Sequence, residues 1–167
     1  MTAVTDPNQF LDLIEQHKRI LYKVAASYCE RREDRHDLVQ EIVMQLWRSF
    51  RNYDGGSRFS TWMYRVAINT AISLYRGGTP ARNTLSLEDP LVDFSAADAL
   101  LDASRDDVHS LHQLLARLDA IDRAIITLYL EGHEHEQIAE IIGISATNVA
   151  TRINRAKQKL QRLYQAA

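Results

Sequence analysis

The run from His133 to Leu163, HEHEQIAEIIGISATNVATRINRAKQKLQRL, constrains this chain more than any other. Ile138, Ala139, Ile141 and Ile142 give one helix an apolar face. Gly143-Ile144-Ser145 then predicts a break. Glycine suits the left-handed residue that follows a helix, and serine is a good N-cap for the next. Beyond the break, Val149, Ile153, Ala156, Leu160 and Leu163 recur at steps of four and three, the period of one buried helical stripe. The other faces carry Thr147, Asn148, Thr151, Arg152, Asn154, Arg155, Lys157, Lys159 and Arg162. From Thr151 onward there are five basic residues and no acidic one. An apolar back and a polar, basic front after a short turn is a form that the major groove of DNA accepts. Short-turn helix pairs also serve as plain packing units, and a basic face is often only solvated. The run alone leaves both readings open.

The rest of the chain also reads as helix. Phe10, Leu13, Ile14, Ile20, Leu21, Val24, Ala25 and Tyr28 keep a helical period, and Leu38, Ile42, Val43, Leu46, Trp47 and Phe50 form a second such face. Asn52-Tyr53-Asp54-Gly55-Gly56-Ser57 reads as a loop from its glycines and turn formers. A third helix is expected from a cap at Ser60 or Thr61 to about Tyr75, ended by Gly77-Gly78-Thr79-Pro80. Packing resumes with Val108, Leu111, Leu114, Leu115 and Leu118, then Ile121, Ile125, Leu128 and Tyr129. No alternating strand pattern stands out. The expectation is an all-α protein of two small helical domains, 1–76 and 105–167. A flexible acidic linker, 77–104, joins them and has room for a short helix near Ala96–Leu101. The second domain is expected to be a helix-turn-helix, winged-helix-like but without strands.

The net charge of −2 sits badly with DNA binding until its distribution is examined. Residues 48–76 hold five arginines against Asp54 alone, while residues 85–110 hold seven acids against Arg105. Two basic patches flank an acidic segment, and nucleic acid responds to the local field more than to the total. Neither patch is strong, so weak DNA affinity is expected of the chain by itself. No apolar run approaches the roughly 20 residues of a membrane span. The start, MTAVTDPNQF, lacks the basic and apolar segments of a signal peptide, so a cytoplasmic protein with no membrane partner is expected. Cys29 is alone, which excludes an intramolecular disulfide, fits a reducing compartment and suggests a small core residue.

His109 and His112 lie one helical turn apart, and His133 and His135 sit beside Glu134 and Glu136. A zinc site is conceivable there, but a His-x-His in a turn is weak evidence, and no metal or other cofactor is expected. There is no P-loop, no Gly-rich dinucleotide turn and no triad-like motif, which argues against an enzyme.

A second informative stretch is Phe59 to Arg76, FSTWMYRVAINTAISLYR. It sets Phe59, Trp62, Tyr64 and Tyr75 among Arg58, Arg65 and Arg76. Aromatic and basic residues together suit unstacked bases and their phosphates. Asn69 stands two turns after Trp62, where its amide can read a base edge. An inward Trp62 with solvated arginines explains the same residues. Upstream, Asp37-Leu38-Val39-Gln40-Glu41 opens the second helix. Gln40 and Glu41 sit beside the apolar face that runs to Trp47, which suits a protein contact. A solvated first turn favoured by the helix dipole accounts for the acids equally well.

Taken in order, DLVQEIVMQLW (37–47), FSTWMYRVAINTA (59–71) and EQIAEIIGISATNVATRINRAKQKL (136–160) resemble the extracytoplasmic-function sigma factors of bacterial RNA polymerase. The resemblance covers both expected domains. It implies a non-catalytic initiation subunit that binds core polymerase, recognises minus-ten and minus-thirty-five promoter elements and helps melt the DNA. It implies that Asp37, Gln40, Glu41, Leu46 and Trp47 dock on the clamp coiled coil of the polymerase's largest subunit. Gly56, Ser57, Arg58, Phe59 and Ser60 match the loop that captures a flipped minus-ten base, and Asn69 matches the asparagine lining that pocket. Trp62, Tyr64 and Arg65, with Arg76 beyond, match the melting helix. Thr147, Asn148, Thr151, Arg152, Asn154 and Arg155 fall on the helix that enters the groove at the minus-thirty-five element. The first helices of the C-terminal domain would touch the polymerase flap, and an anti-sigma protein is the implied regulator.

Several positions depart from the family's pattern. Ala150 stands where a basic residue is common, Asn154 where an aromatic or His is frequent, and Ser73 where an acid is usual. The basic run after the melting helix is reduced to Arg76 before Gly77-Gly78. These differences bear on promoter sequence and melting strength. No further regulatory domain is expected after the helix-turn-helix. A plain repressor or activator is the competing class, but it has no use for the clamp-like and aromatic-basic helices within residues 37–71.

Overall fold

A computed structural model describes residues 6–75 and 105–166, with side chains from His109 onward in the second stretch. The chain divides into two compact units, Met1–Asp102 and Ala103–Ala167. The described residues form seven helices and no strand. Arg76 and residues 77–104, read above as a linker with a short helix, lie outside the described residues.

The first unit contains α1 (Pro7–Tyr28), α2 (Arg32–Phe50) and α3 (Phe59–Tyr75), each packed on the other two. Asp6 caps α1 by accepting the Asn8 amide at 2.9 Å. Pro7 takes the first turn, where a missing N–H costs nothing. Phe10, Leu21 and Val24 of α1 meet Leu38, Val39, Ile42, Leu46 and Phe50 of α2 in the core, with Met63, Ala67 and Ala71 of α3. The small Ala67 and Ala71 let α3 lie close to its neighbours, since interaxial distance follows side-chain size at the contact. Between α1 and α2, Arg35 Nε donates to the Cys29 carbonyl at 2.8 Å. Cys29 is half-buried rather than a core residue, because it is the C-cap of α1, where the chain leaves the packed face. α3 starts before the expected serine cap. The Arg58 carbonyl accepts the Trp62 amide at 3.0 Å, which puts Ser60 and Thr61 inside the first turn, anchored by buried Phe59.

The second unit contains α4 (Arg105–Leu115), α5 (Ala120–Leu130), α6 (His135–Ile142) and α7 (Ala146–Gln165). Asp119 caps α5 by accepting the Asp122 amide at 2.8 Å. At the start of α6, the Gln137 side chain accepts the Glu134 amide at 3.0 Å. Gly143 stops α6 in the left-handed region, φ 86° and ψ 34°, with its amide on the Ala139 carbonyl at 2.8 Å. Two residues later, Ser145 Oγ accepts the Asn148 amide at 3.1 Å and opens α7. One helix therefore ends and the next begins within three residues. Ile125 and Leu128 of α5, Ile138 and Ile141 of α6, and Val149, Ile153 and Ala156 of α7 are buried together as the core of this unit. Burying each of the larger ones is worth about 1.5–3 kcal/mol. Leu160 and Leu163 continue the stripe but are only half-buried, as the distal half of α7 outruns the core.

Candidate functional site

The loop between α2 and α3 is built around Tyr53. Gly55 has a positive φ of 78°, and Asp54 Oδ1 accepts the Gly56 amide at 2.8 Å. Tyr53 Oη donates to the Ser57 carbonyl at 2.7 Å, closing the loop. Its ring lies 5.0 Å from that of Trp62 and 5.7 Å, edge-on, from that of Phe59. Phe59 and Trp62 are 5.4 Å apart. Burial, and then the nearby Asp54 carboxylate, raise the Tyr53 hydroxyl above its ordinary pKa. Sequence reasoning read Tyr53 as a loop residue only; the one signal was a bulky ring among turn formers.

This frame sorts the residues expected at the minus-ten face. Ser57, Ser60 and Trp62 are half-buried at the edge of the aromatic cluster, and Arg58, Arg65 and Asn69 are exposed. Trp62, Arg65 and Asn69 follow one another at steps of three and four, so they share a side of α3. Phe59 and Tyr64 are buried. Their rings pack α3 from within the unit.

On α2, Asp37 and Gln40 are exposed, and half-buried Glu41 accepts from Gln45 Nε2 at 3.0 Å. Trp47 is 45% exposed, with its ring 5.0 Å from Phe10, whereas the neighbouring Leu46 is 0% exposed. Leu46 therefore holds α2 in place from the core. Arg48, counted above only as part of the basic patch, has a buried Nη2 without a hydrogen-bond partner among the described residues.

On α7, Thr147, Asn148, Thr151, Asn154 and Arg155 are exposed. Thr151 Oγ1 donates back to the Thr147 carbonyl at 3.1 Å. Arg152 is half-buried and donates to Asp122 Oδ1 at 2.8 Å. Lys157 Nζ donates to Tyr129 Oη at 2.9 Å and lies 4.4 Å from the centre of that ring. Lys159 Nζ donates to the Arg117 carbonyl at 2.8 Å. Three of the five cations of this helix thus have tertiary partners, while Arg155 and Arg162 remain exposed.

No group of three or more potential ligands for a metal ion occurs among the described residues. His133 Nε2 lies 3.6 Å from a Glu131 carboxylate oxygen, and His109 meets Gln113 at 2.9 Å. No described helix is long and apolar enough to cross a membrane.

Family models of Sigma-70 region 2 and Sigma-70, region 4 match residues 13–79 and 109–160. The chain is 30% identical over 154 residues to the RNA polymerase sigma factor SigV of Bacillus subtilis, covering 90% of this chain and 87% of that one. The chain belongs to the extracytoplasmic-function sigma factors. Such proteins are non-catalytic subunits that bind RNA polymerase and recognise promoters. The fold is similar to that of CnrH in complex with the cytosolic domain of CnrY, with a TM-score of 0.71 and 24% identity over 99% of this chain and 93% of that one. It is also similar to the sigma factor RpoE in complex with the anti-sigma factor NepR from Bartonella quintana, with a TM-score of 0.64 and 21% identity over 95% of this chain and 98% of that one.

Proposed function

We propose that this sigma factor grips a promoter at two places and polymerase at two places, with the roles divided between its units. Residues 1–76 dock on the clamp coiled coil through Asp37, Gln40, Glu41 and Trp47. Ser57, Arg58 and Ser60 then capture a flipped minus-ten base, with Trp62, Arg65, Asn69 and Arg76 along the separated strand. Leu46, Phe59 and Tyr64 act from inside, by holding α2 and α3. In residues 105–167, α6 and α7 are a helix-turn-helix for the minus-thirty-five element. Thr147, Asn148, Thr151, Asn154 and Arg155 face the groove, Arg152 braces the helix, and the helices before them touch the flap.

The observation that carries this reading is the outward side of α3. Exposed Arg65 and Asn69 stand beside a half-buried Trp62, so cation, amide and ring are offered together. Holding unstacked bases against such groups offsets the few kcal/mol that unstacking each base costs. Residues 77–104 serve as the acidic tether. Once one unit is bound, a tether raises the effective concentration of the other. Its acids keep it off the DNA or let it mimic nucleic acid in a basic polymerase channel. The regulator is an anti-sigma protein that covers the polymerase-binding faces. The support for it is the solved relative RpoE, whose bound partner NepR is an anti-sigma factor.

The test is Asn69→Ala in holoenzyme reconstituted with core polymerase. Open-complex formation is expected to weaken while co-elution with core is unchanged. Loss of co-elution would make Asn69 a structural residue and remove it from the minus-ten pocket.

A further inference from the structure

We infer that Tyr53 is a positioning residue for promoter melting: it clamps the backbone on both sides of Arg58, so that the loop meets a flipped base already in shape. The inference rests on the proposed base-capturing role of Ser57–Ser60. On the N-terminal side, Tyr53 Oη holds the Ser57 carbonyl at 2.7 Å. On the C-terminal side, the same ring packs edge-on against Phe59 at 5.7 Å and against Trp62 at 5.0 Å. The Arg58 carbonyl is itself held at 3.0 Å by the Trp62 amide. Arg58 thus has an exposed side chain on a backbone fixed before, at and after it.

The loop needs such a clamp. Gly55 and Gly56 precede Ser57, and glycine carries more conformational freedom than any other residue. A loop with that freedom loses it when it closes on a base, and the loss weakens capture. Tyr53 removes the freedom beforehand. Its ring also lies near-parallel to that of Phe50, at 15° and 6.5 Å, which ties the clamp to the end of α2. Burial and Asp54 favour the protonated phenol, so the hydroxyl remains a donor across the physiological range.

Tyr53→Phe removes the hydroxyl and keeps the ring, and Arg58→Ala removes the exposed cation. Each is assembled as full chain with core polymerase on promoter fragments that wild-type holoenzyme selects from a genomic library. Fragments are compared in pairs that differ at the captured minus-ten base. For Tyr53→Phe the expected result is unchanged affinity for core, a melting temperature within a few degrees of wild type, and discrimination between the bases reduced about fivefold, the equivalent of one net hydrogen bond. Discrimination equal to wild type in Tyr53→Phe, with loss in Arg58→Ala, would overturn the clamp and leave the loop's role standing. No loss in either variant would overturn both. A fall in core affinity that parallels a large fall in melting temperature would reduce Tyr53 to a general packing residue.

Discussion

Arg152 of α7 donates to Asp122 of α5 across 2.8 Å, joining residues thirty positions apart in the sequence. Both side chains keep partial access to water, so the pair is a modest brace, worth about 0.2–1 kcal/mol. It also engages one of the five cations on the basic helix. Asp122→Asn is therefore expected to lower the stability of the second unit slightly in urea titration. Asp122→Ala, which removes the acceptor as well as the charge, frees Arg152 and is expected to steepen the salt dependence of DNA binding by about one phosphate contact. An unchanged salt slope would mean that Arg152 does not reach phosphate when released.

Gly143 has a φ of 86°, and an added Cβ would meet nothing within 4 Å. The cost of Gly143→Ala is therefore conformational, with no clash, and is expected at about 1–2 kcal/mol. Gly143→Asn should cost less, because asparagine tolerates the left-handed region. Urea midpoints of the two variants give the comparison, and equal losses would contradict the left-handed backbone as the cause.

Leu46 and Trp47 are neighbours with opposite exposures. Leu46→Ala opens a cavity in the first unit and is expected to cost about 2–5 kcal/mol. Trp47→Ala is expected to leave the fold nearly intact and to weaken binding to core polymerase. Chemical denaturation and a core-binding titration on both variants separate the two effects. Wild-type core affinity in a folded Trp47→Ala would take Trp47 out of the interface.

How much of this was legible beforehand follows how local each cause is. Gly143 and Ser145 act through their own backbone and the amides next to them, so residue type alone points to a turn there. Val149, Ile153 and Ala156 were legible for the same reason, since a stripe repeats along one helix. Leu46 and Trp47 were not separable, because adjacent apolar residues differ only in which side of α2 meets the core. The Arg152–Asp122 pair was not legible, because nothing near Arg152 in the sequence names Asp122 as its partner. The role of Tyr53 depends on rings from α2 and α3 closing around it. The early start of α3 was missed because Ser60 and Thr61 resemble caps, while burial of Phe59 decides the helix.

The most direct measurement is run-off transcription from a genomic library with core RNA polymerase, with and without this protein. The expected result is protein-dependent transcripts whose upstream regions share two sequence elements at constant spacing. No such transcripts, together with no binding to core, would contradict the assignment of this chain to promoter recognition.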